Sequence, residues 1–322
     1  MRHAPCYSVT DVVMGRIMRD SESNDESNQI VLAEILKKVR RIQVRASRLV
    51  TGAFLGEYQS VFKGRGMEFE EVREYQPGDD FRFIDWNVTA RTGRPYMKKF
   101  VEERELNVIF MIDVSPSSNF GTVHQIKSEL AIEICSLLAL SAVKNNDRVG
   151  LICFSDRIES FVIPRKGIRH VLRIIRDALN LKPAGKKTDI PLALEFLTKV
   201  FKRRTVIFLL SDFHFPNIGM SLSIAAKKHD IVAITLTDPA ELSLPAIGIV
   251  GLDDPETGEE FLIDTSSREV RDQYEQRGRK RIEGRNRFLD SIPVDHVDIR
   301  TDLPYLSSLV RFFRMRKARY SR

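Results

Sequence analysis

Four short runs of the chain are almost entirely apolar: LNVIFMID, RVGLICFS, TVIFLLSD and DIVAITLT. Each is dense in Val, Ile, Leu or Phe and has the length of a strand that is buried on both faces. Stretches with helical spacing lie between and after them: QIKSELAIEICSLLALSAVKNN, GIRHVLRIIRDALN, DIPLALEFLTKVFKRR and GMSLSIAAKKH. Strand alternating with helix in this way predicts an α/β fold, with a doubly wound, mostly parallel sheet and helices on both faces.

The segments on either side of this region have different patterns. Residues 30–55, IVLAEILKKVRRIQVRASRLVTGAFL, show helical spacing with one basic side. From 56 to 103 the turn signals QPGDD and RTGRP separate short aromatic pieces, which predicts a small β-rich subdomain. Further on, IGIVGLDD and EEFLIDT predict a hairpin, VDHVDIRTD an edge or terminal strand, and LPYLSSLVRFFRMRKARY a short basic amphipathic helix.

These patterns predict four parts of the chain. Residues 1–28 end in a polar stretch and are expected to be a disordered extension. Residues 29–103 hold the N-terminal helix and the small β-rich subdomain, residues 104–302 the α/β domain, and residues 303–322 the basic C-terminal helix.

The distribution of charge indicates classes of partner, and the apolar runs and cysteines indicate where the protein is expected to be located. The net charge of +7 lies entirely in residues 268–322, which hold 15 Lys and Arg against 8 Asp and Glu. A basic region favours an acidic partner, a membrane surface or nucleic acid, and its simplest explanation is a solvated helix face. No apolar run approaches the ~18 residues of a membrane helix, so no membrane span is expected. Cys135 and Cys153 lie in apolar segments and are expected to be reduced core residues, which fits a cytoplasmic location.

Small oxygen-bearing side chains gather where predicted strands and loops end. They are Asp113, Ser115, Ser117, Thr188 and Asp212. In open α/β sheets, ligands bind just past the carboxyl ends of the strands. Hydroxyl and carboxylate oxygens suit a hard divalent cation, whereas zinc prefers nitrogen and sulfur, and no His or Cys is interleaved here. The cluster therefore predicts a site for Mg²⁺ or Mn²⁺.

The spacing D-x-S-x-S, with a distant Thr in a TDI loop and an Asp at a strand end, resembles the metal-ion-dependent adhesion site of von Willebrand factor A domains. The resemblance implies a von Willebrand factor A-like fold in which Ser115, Ser117 and Thr188 coordinate the ion through hydroxyls. Asp113 and Asp212 would act mainly through water, and an acidic side chain of a partner would fill the open position. The chain is thus expected to be a non-enzymatic interaction module.

The segment upstream of this motif is GRGMEFEEVREYQPGDDFRFIDWNVTARTGRPYMKKFVEERE, and it resembles the signature region of the bacterial domain of unknown function 58 family. The distinctive pieces are YQPGDDFRFIDWNVTAR and KKFVEERE, and the resemblance runs from about Gly64 to the C-terminus. Members are typically encoded beside a MoxR-type AAA+ ATPase. The resemblance therefore implies that ATPase, or a client that it remodels, as the partner.

Two other functions remain open on the sequence alone. A metal-dependent hydrolase could use the same Asp, Ser and Thr cluster, but it needs a base near the ion, and His214 could line the rim beside Asp212. The basic run RGRKRIEGRNRF, residues 277–288, could contact nucleic acid. Its only aromatic residue for stacking on bases is Phe288, so a helix with a wet basic side is the favoured interpretation.

Two further motifs receive structural interpretations. PAGKKT lacks the spacing of a phosphate-binding loop, because Lys187 separates Lys186 from Thr188, so no nucleotide is expected. The single tryptophan, Trp86, is interpreted as packing the small subdomain against the main sheet, and its alternative role is to anchor a partner. The charged residues around it are expected to pair nearby: Asp79, Asp80, Arg82 and Asp85.

Overall fold

A computed structural model of the chain describes residues 37–50, 52–62, 66–103, 105–123, 125–214, 218–253 and 260–320. The predicted extension, residues 1–28, lies outside these ranges, as does the beginning of the predicted N-terminal helix.

The described residues form α-helices and β-strands that alternate through the middle of the chain. The helices are α1 (37–49), α2 (Gly52–Val61), α3 (Trp86–Thr92), α4 (Lys127–Lys144), α5 (Ile168–Leu179), α6 (Ile190–Val200), α7 (Gly219–Lys228), α8 (Arg268–Asp290) and α9 (Tyr305–Tyr320). The strands are β1 (Gly66–Glu74), β2 (Tyr96–Glu103), β3 (Asn107–Asp113), β4 (Arg148–Phe154), β5 (Ile158–Arg165), β6 (Val206–Ser211), β7 (Asp230–Thr237), β8 (Ile249–Asp253), β9 (Glu260–Asp264) and β10 (Asp295–Arg300).

The central sheet has six strands in the order β10-β7-β6-β3-β4-β5. All neighbouring pairs are parallel except β4 and β5, which are antiparallel. The prediction of a mixed α/β fold with a mostly parallel sheet flanked by helices is therefore confirmed. The strand predicted from VDHVDIRTD is the edge strand β10, whereas the antiparallel edge strand β5 was not predicted.

Alternation along each strand sends successive side chains to opposite faces of the sheet. In β3, Val108, Phe110 and Ile112 face one apolar core, which also holds residues of α1, α2, α4, α5 and α9. Ile109 and Met111 face a second core, which is covered by α6, α7 and the end of α8. Both faces are buried, and the predicted core cysteines of β4 and α4 are fully enclosed.

The N-terminal region departs from its prediction at two points. One helix was expected over residues 30–55, but α1 ends at 49 and α2 begins at Gly52, because glycine is a poor former of helix interiors. Trp86 does not pack against the main sheet: it is 69% exposed, and Phe81 close to it is 71% exposed. The interpretation of Trp86 as a packing residue was wrong, since the short helix α3 leaves its side chain in solvent.

The charged residues around Trp86 do pair locally. Arg82 binds Asp80 at 2.7 Å and Arg73 binds Asp79 at 2.7 Å. The Asp85 carboxylate caps α3 by accepting the backbone N–H groups of residues 87 and 88. Strands β1 and β2 form a separate two-stranded antiparallel sheet, and the predicted hairpin is present as β8 and β9.

Candidate metal centre

The crevice that holds the candidate site follows from the order of the strands. After β3 the chain moves to β4 on one side, and after β6 it moves to β7 on the other. The direction of winding therefore reverses between β3 and β6, which is where open α/β sheets bind ligands. Asp113 ends β3, Ser211 ends β6, and Asp212 follows directly. The two predicted carboxylates thus lie on adjacent strands at the same edge of the sheet.

The loop after β3 turns back on itself and brings two serine hydroxyls together. The Ser115 N–H donates to Asp113 Oδ1 at 3.0 Å, and the Ser118 hydroxyl donates to the Ser115 carbonyl at 2.7 Å. A short 3₁₀ turn, Pro116–Asn119, follows. As a result Ser115 Oγ and Ser117 Oγ lie 3.1 Å apart, with Ser115 fully buried.

The Asp113 carboxylate is held on both of its oxygens. Its Oδ1 accepts the Ser115 N–H, and its Oδ2 accepts the hydroxyl of Ser211 at 2.7 Å. Asp113 is only 3% exposed. Burial and then the charge of Asp212 raise the pKa of Asp113 to about 6, against the effect of these hydrogen bonds. Two carboxylates in one dry crevice repel each other, so this edge of the sheet favours an added positive charge.

The Asp212 carboxylate has a different environment. Its Oδ2 accepts Lys127 Nζ at 2.9 Å, and its Oδ1 accepts the backbone N–H of His214 at 3.2 Å. Burial is the largest single influence and opposes ionisation of Asp212, but the Lys127 ammonium, His214 and the hydrogen bonds from these two residues together outweigh it and lower the pKa of Asp212 to about 2. Asp212 is therefore ionised at neutral pH, while Asp113 beside it retains its proton more readily.

Thr188 reaches the same edge of the sheet through the end of β4. The N–H of Asp189, which caps α6, donates to the Ser155 carbonyl at 2.9 Å. Ser155 follows Phe154, whose carbonyl accepts the Val114 N–H at 2.9 Å. The Thr188 loop is thus bonded to the strand that neighbours the serine loop, and Thr188 itself is buried.

These positions fit a hard divalent cation. Octahedral ligands about 2.0–2.1 Å from Mg²⁺ lie about 2.9 Å from one another, close to the 3.1 Å between the Ser115 and Ser117 oxygens. The carboxylates of Asp113 and Asp212 already accept hydrogen bonds from the protein, which suits contact through water. The five predicted residues therefore offer the right donor atoms at one edge.

A second group of potential ligands adjoins this cluster. One atom each from Asp212, His214 and Glu241 lies within 4.8 Å of the others. His214 Nδ1 is 3.8 Å from Asp212 Oδ2, so His214 lies beside Asp212, which the sequence left open as an alternative and did not predict. Burial lowers the pKa of His214, which keeps its ring neutral near pH 7.

Sequence reasoning missed three residues that shape the site: Ser211, Lys127 and Glu241. Lys127 is the first residue of α4, where the helix dipole disfavours a cation. A lysine in a helix's first turn was therefore a signal of a nearby anion. Glu241 carried no such signal, because it depends on how the turn after β7 folds.

Helix α8 closes the crevice on the β6 and β7 side. Arg285 is only 6% exposed, and its guanidinium donates to the Asp212 carbonyl at 3.3 Å and to Thr237 Oγ1 at 3.1 Å. Arg281 donates to the Glu241 carbonyl at 2.9 Å. The other five basic residues of the run 277–288 are exposed, as predicted, but Arg285 was wrongly assigned to the wet side.

The PAGKKT loop uses its backbone amides within the protein. The N–H of Gly185 donates to Glu159 Oε1 at 2.7 Å, and the N–H of Lys186 donates to Asp156 Oδ2 at 3.3 Å. These amides hold the loop against the turn between β4 and β5 and the start of β5, and thereby position Thr188.

The fold and site together define a class: a mixed α/β protein whose mostly parallel sheet carries an acidic and hydroxyl-rich cluster at its switch point. Residues 71–284 match the family described as protein of unknown function DUF58. The chain belongs to this family, and the matched region includes all five predicted ligands together with Lys127 and Glu241.

Relatives of known sequence include uncharacterized proteins from mycobacteria. The Mycobacterium tuberculosis protein Rv1480 and the Mycobacterium bovis protein Mb1516 are each 30% identical over 284 residues, covering 87% of this chain and 89% of the relative. The uncharacterized protein YeaD of Bacillus subtilis is 29% identical over 105 residues, covering 33% of this chain and 24% of its own.

Solved structures give weaker likenesses. The conserved hypothetical protein BatB from Bacteroides thetaiotaomicron has a TM-score of 0.38 at 16% identity, covering 66% of this chain and 99% of that one. An uncharacterized membrane spanning protein from Vibrio fischeri has a TM-score of 0.22 at 15% identity, covering 58% of this chain and 98% of that one. Within the described ranges of the present chain, no helix is long and apolar enough to cross a membrane.

Proposed function

We propose that this chain is a non-enzymatic, metal-dependent protein-interaction module with a von Willebrand factor A-like fold. In this proposal one Mg²⁺ or Mn²⁺ ion is held by Ser115, Ser117 and Thr188 directly, and by Asp113 and Asp212 through water. When bound, the ion offers an open coordination position that takes a carboxylate oxygen from a partner protein.

The observation that carries the proposal is the pair of serine hydroxyls 3.1 Å apart beside two buried carboxylates. These hydroxyls hydrogen-bond each other, and their separation also suits two adjacent ligands of an octahedral ion. Ser117 is half-buried, and Asn119 and Phe120 beyond it are exposed, so the serine side of the cluster borders solvent, from which an acidic side chain would approach.

The partner proposed is a MoxR-type AAA+ ATPase or a client that it remodels, and the protein would act with it in assembling or remodelling protein complexes. Family resemblance supports this choice of partner. The site supports a contact through a carboxylate. A partner that offers no carboxylate at the right place would leave the open position of the ion unfilled, so the ion would select against such a partner.

The test measures binding of a MoxR-type ATPase from the same organism, with Mg²⁺ and with chelator, for wild type, Asp113→Asn and Asp147→Asn. Asp147 is a matched control, because burial also raises its pKa to about 6 and its Oδ1 accepts the Leu106 N–H at the opposite end of the sheet. We expect chelator and Asp113→Asn each to weaken binding about tenfold or more, and Asp147→Asn to leave it unchanged. Equal affinity in every arm would remove the metal-bridge proposal.

A hydrolase is the second candidate, and His214 is the observation in its favour. The neutral ring lies 3.8 Å from the Asp212 carboxylate and about a quarter of its side chain is exposed, so it could accept a proton from a water near the cluster. Hydrolysis of phosphate esters that requires Mg²⁺ and disappears in both Asp212→Ala and His214→Ala would support this function over the first.

A further inference from the structure

The group formed by Asp212, His214 and Glu241 has the composition of a transition-metal site, yet a lysine lies within it. Lys127 Nζ is 2.9 Å from Asp212 Oδ2 and 2.6 Å from Glu241 Oε1. The lysine is only 2% exposed, so its ammonium has left water entirely for these two carboxylates. A buried charge of this kind is retained only where its partners are fixed.

Both carboxylates are fixed by bonds to their other oxygens. Asp212 Oδ1 accepts the His214 N–H, and Glu241 Oε2 accepts the Asp238 N–H at 3.3 Å as part of a capping box. Asp238 is itself held by the hydroxyls of Thr122 and Thr301. The remaining oxygen of each carboxylate, Asp212 Oδ2 and Glu241 Oε1, accepts a hydrogen bond from the Lys127 ammonium.

An ion in this group would need the space that the ammonium fills. A transition metal bound to Asp212 Oδ2 and Glu241 Oε1 would lie about 2.0–2.2 Å from each oxygen, between the same two atoms that Lys127 bridges. The Lys127 side chain is enclosed at this position, since the residue is buried and its ammonium also lies 6.0 Å from the centre of the Phe120 ring.

We propose that Lys127 is a built-in cation that keeps the Asp212–His214–Glu241 group closed to transition metals and confines the divalent ion to the serine side. The second half of this statement rests on the function proposed above, whereas the first half depends only on the contacts of Lys127. Lys127 is thus a specificity-determining residue that sets which metal binds and where.

The experiment counts Co²⁺ ions bound by wild type, Lys127→Met and Lys127→Gln, by equilibrium dialysis and by the visible absorption of Co²⁺. Each Lys127 variant should bind one more ion than wild type, with added absorption that His214→Ala removes from the variant but not from wild type. The matched control is Lys144→Met in the last turn of the same helix, whose ammonium donates to the Val50 carbonyl at 3.2 Å, and it should bind as wild type does.

Three results would overturn the proposal. The first is wild-type binding of Co²⁺ that already depends on His214, and the second is no extra ion in either Lys127 variant. The third is failure of both variants to fold even in excess Co²⁺. On this proposal Co²⁺ enters the group once Lys127 is replaced, and its charge should substitute for the lost ammonium. Glutamine keeps hydrogen-bond donors near the carboxylates, so Lys127→Gln is the variant less disturbed by folding effects.

Failure of the proposed function gives a separate result in the same experiment. Ser115→Ala should remove the ion that wild type binds. If wild type and Ser115→Ala bind equally, the serine site is absent, and the gain of an ion in the Lys127 variants still reports on the role of Lys127.

Discussion

Ser211 donates its hydroxyl to Asp113 Oδ2 at 2.7 Å and accepts the Phe213 N–H at 3.1 Å, all within the buried crevice. Groups that orient metal ligands in this way affect affinity although they do not touch the ion. We expect Ser211→Ala to weaken Mg²⁺ or Mn²⁺ binding about 10- to 100-fold by calorimetry. Ser136→Ala is the control, because its equally buried hydroxyl bonds the Ile132 carbonyl within α4. The same affinity in both variants would show that Ser211 does not orient Asp113.

The raised pKa of Asp113, about 6, predicts a pH dependence. Because this pKa exceeds its ordinary value of 3.8, the ion-free fold loses stability as pH rises from about 4 to about 6, and a bound cation reverses that loss. The affinity for Mg²⁺ should therefore fall about tenfold from pH 7 to pH 5, as protonated Asp113 competes with the ion. The rise in Tm on adding Mg²⁺ should be larger at pH 7, and Asp113→Asn should abolish the difference. Equal rises at pH 5 and pH 7 would contradict this role of Asp113.

At the scale of single residues, the sequence predicts the site residues that share a motif and misses those that come together only on folding. Asp113, Ser115 and Ser117 lie within five positions, so their proximity follows from local chain geometry. Lys127 and Glu241 are separated by 114 positions and meet only because α4 and the turn after β7 border the same crevice. Pattern analysis carries no information about that contact.

At the scale of elements, two glycines of α8 give a matched pair. A Cβ on Gly278 would lie 2.7 Å from the Glu241 carbonyl oxygen, so alanine would push α8 away from the turn that holds Glu241. A Cβ on Gly284 would meet no atom within 4 Å. We expect Gly278→Ala to lower the free energy of unfolding by about 1–3 kcal/mol, and Gly284→Ala to raise it by up to about 1 kcal/mol. Urea unfolding of both variants measures this, and equal effects would show that α8 is not packed closely at Gly278.

The elements that were predictable are those whose burial is uniform. Strands β3, β4, β6 and β7 are enclosed on both faces over most of their length, so their sequences are mainly apolar, with most of their polar residues at the ends. Strand β5 is an edge strand with half-buried and exposed positions, and its sequence IESFVIPR does not stand out from a loop. Trp86 was predicted wrongly because a large aromatic residue is usually at least partly buried, and the charged residues beside it in the sequence did not show that its side chain is exposed.

At the scale of the whole molecule, the N-terminal and C-terminal helices share one core with the sheet. Phe313 of α9 is fully buried, and its ring lies 5.7 Å from Phe54 and from Phe62 and 6.0 Å from Tyr58. Phe62 in turn contacts Phe208 of β6 at 5.5 Å. The ends of the described chain therefore contribute to the stability of the sheet that carries the site.

We expect Phe313→Ala to cost about 3–5 kcal/mol of unfolding free energy, since it opens a cavity beside the rings of Phe54, Tyr58 and Phe62. Met315→Ala in the same helix, where Met315 is exposed, should change stability by less than about 0.5 kcal/mol. Chemical denaturation followed by circular dichroism measures both. A small effect of Phe313→Ala would mean that α9 is not part of the core.

The most direct measurement is a titration with Mn²⁺ followed by electron paramagnetic resonance, comparing wild type with Ser115→Ala and Ser141→Ala. Ser141 is as buried as Ser115, but its hydroxyl donates to the Leu137 carbonyl within α4 at 2.9 Å and takes no part in the site. We expect one bound ion in wild type and in Ser141→Ala, and loss of that ion in Ser115→Ala. Binding that is absent from wild type, or that survives in Ser115→Ala, would contradict this expectation.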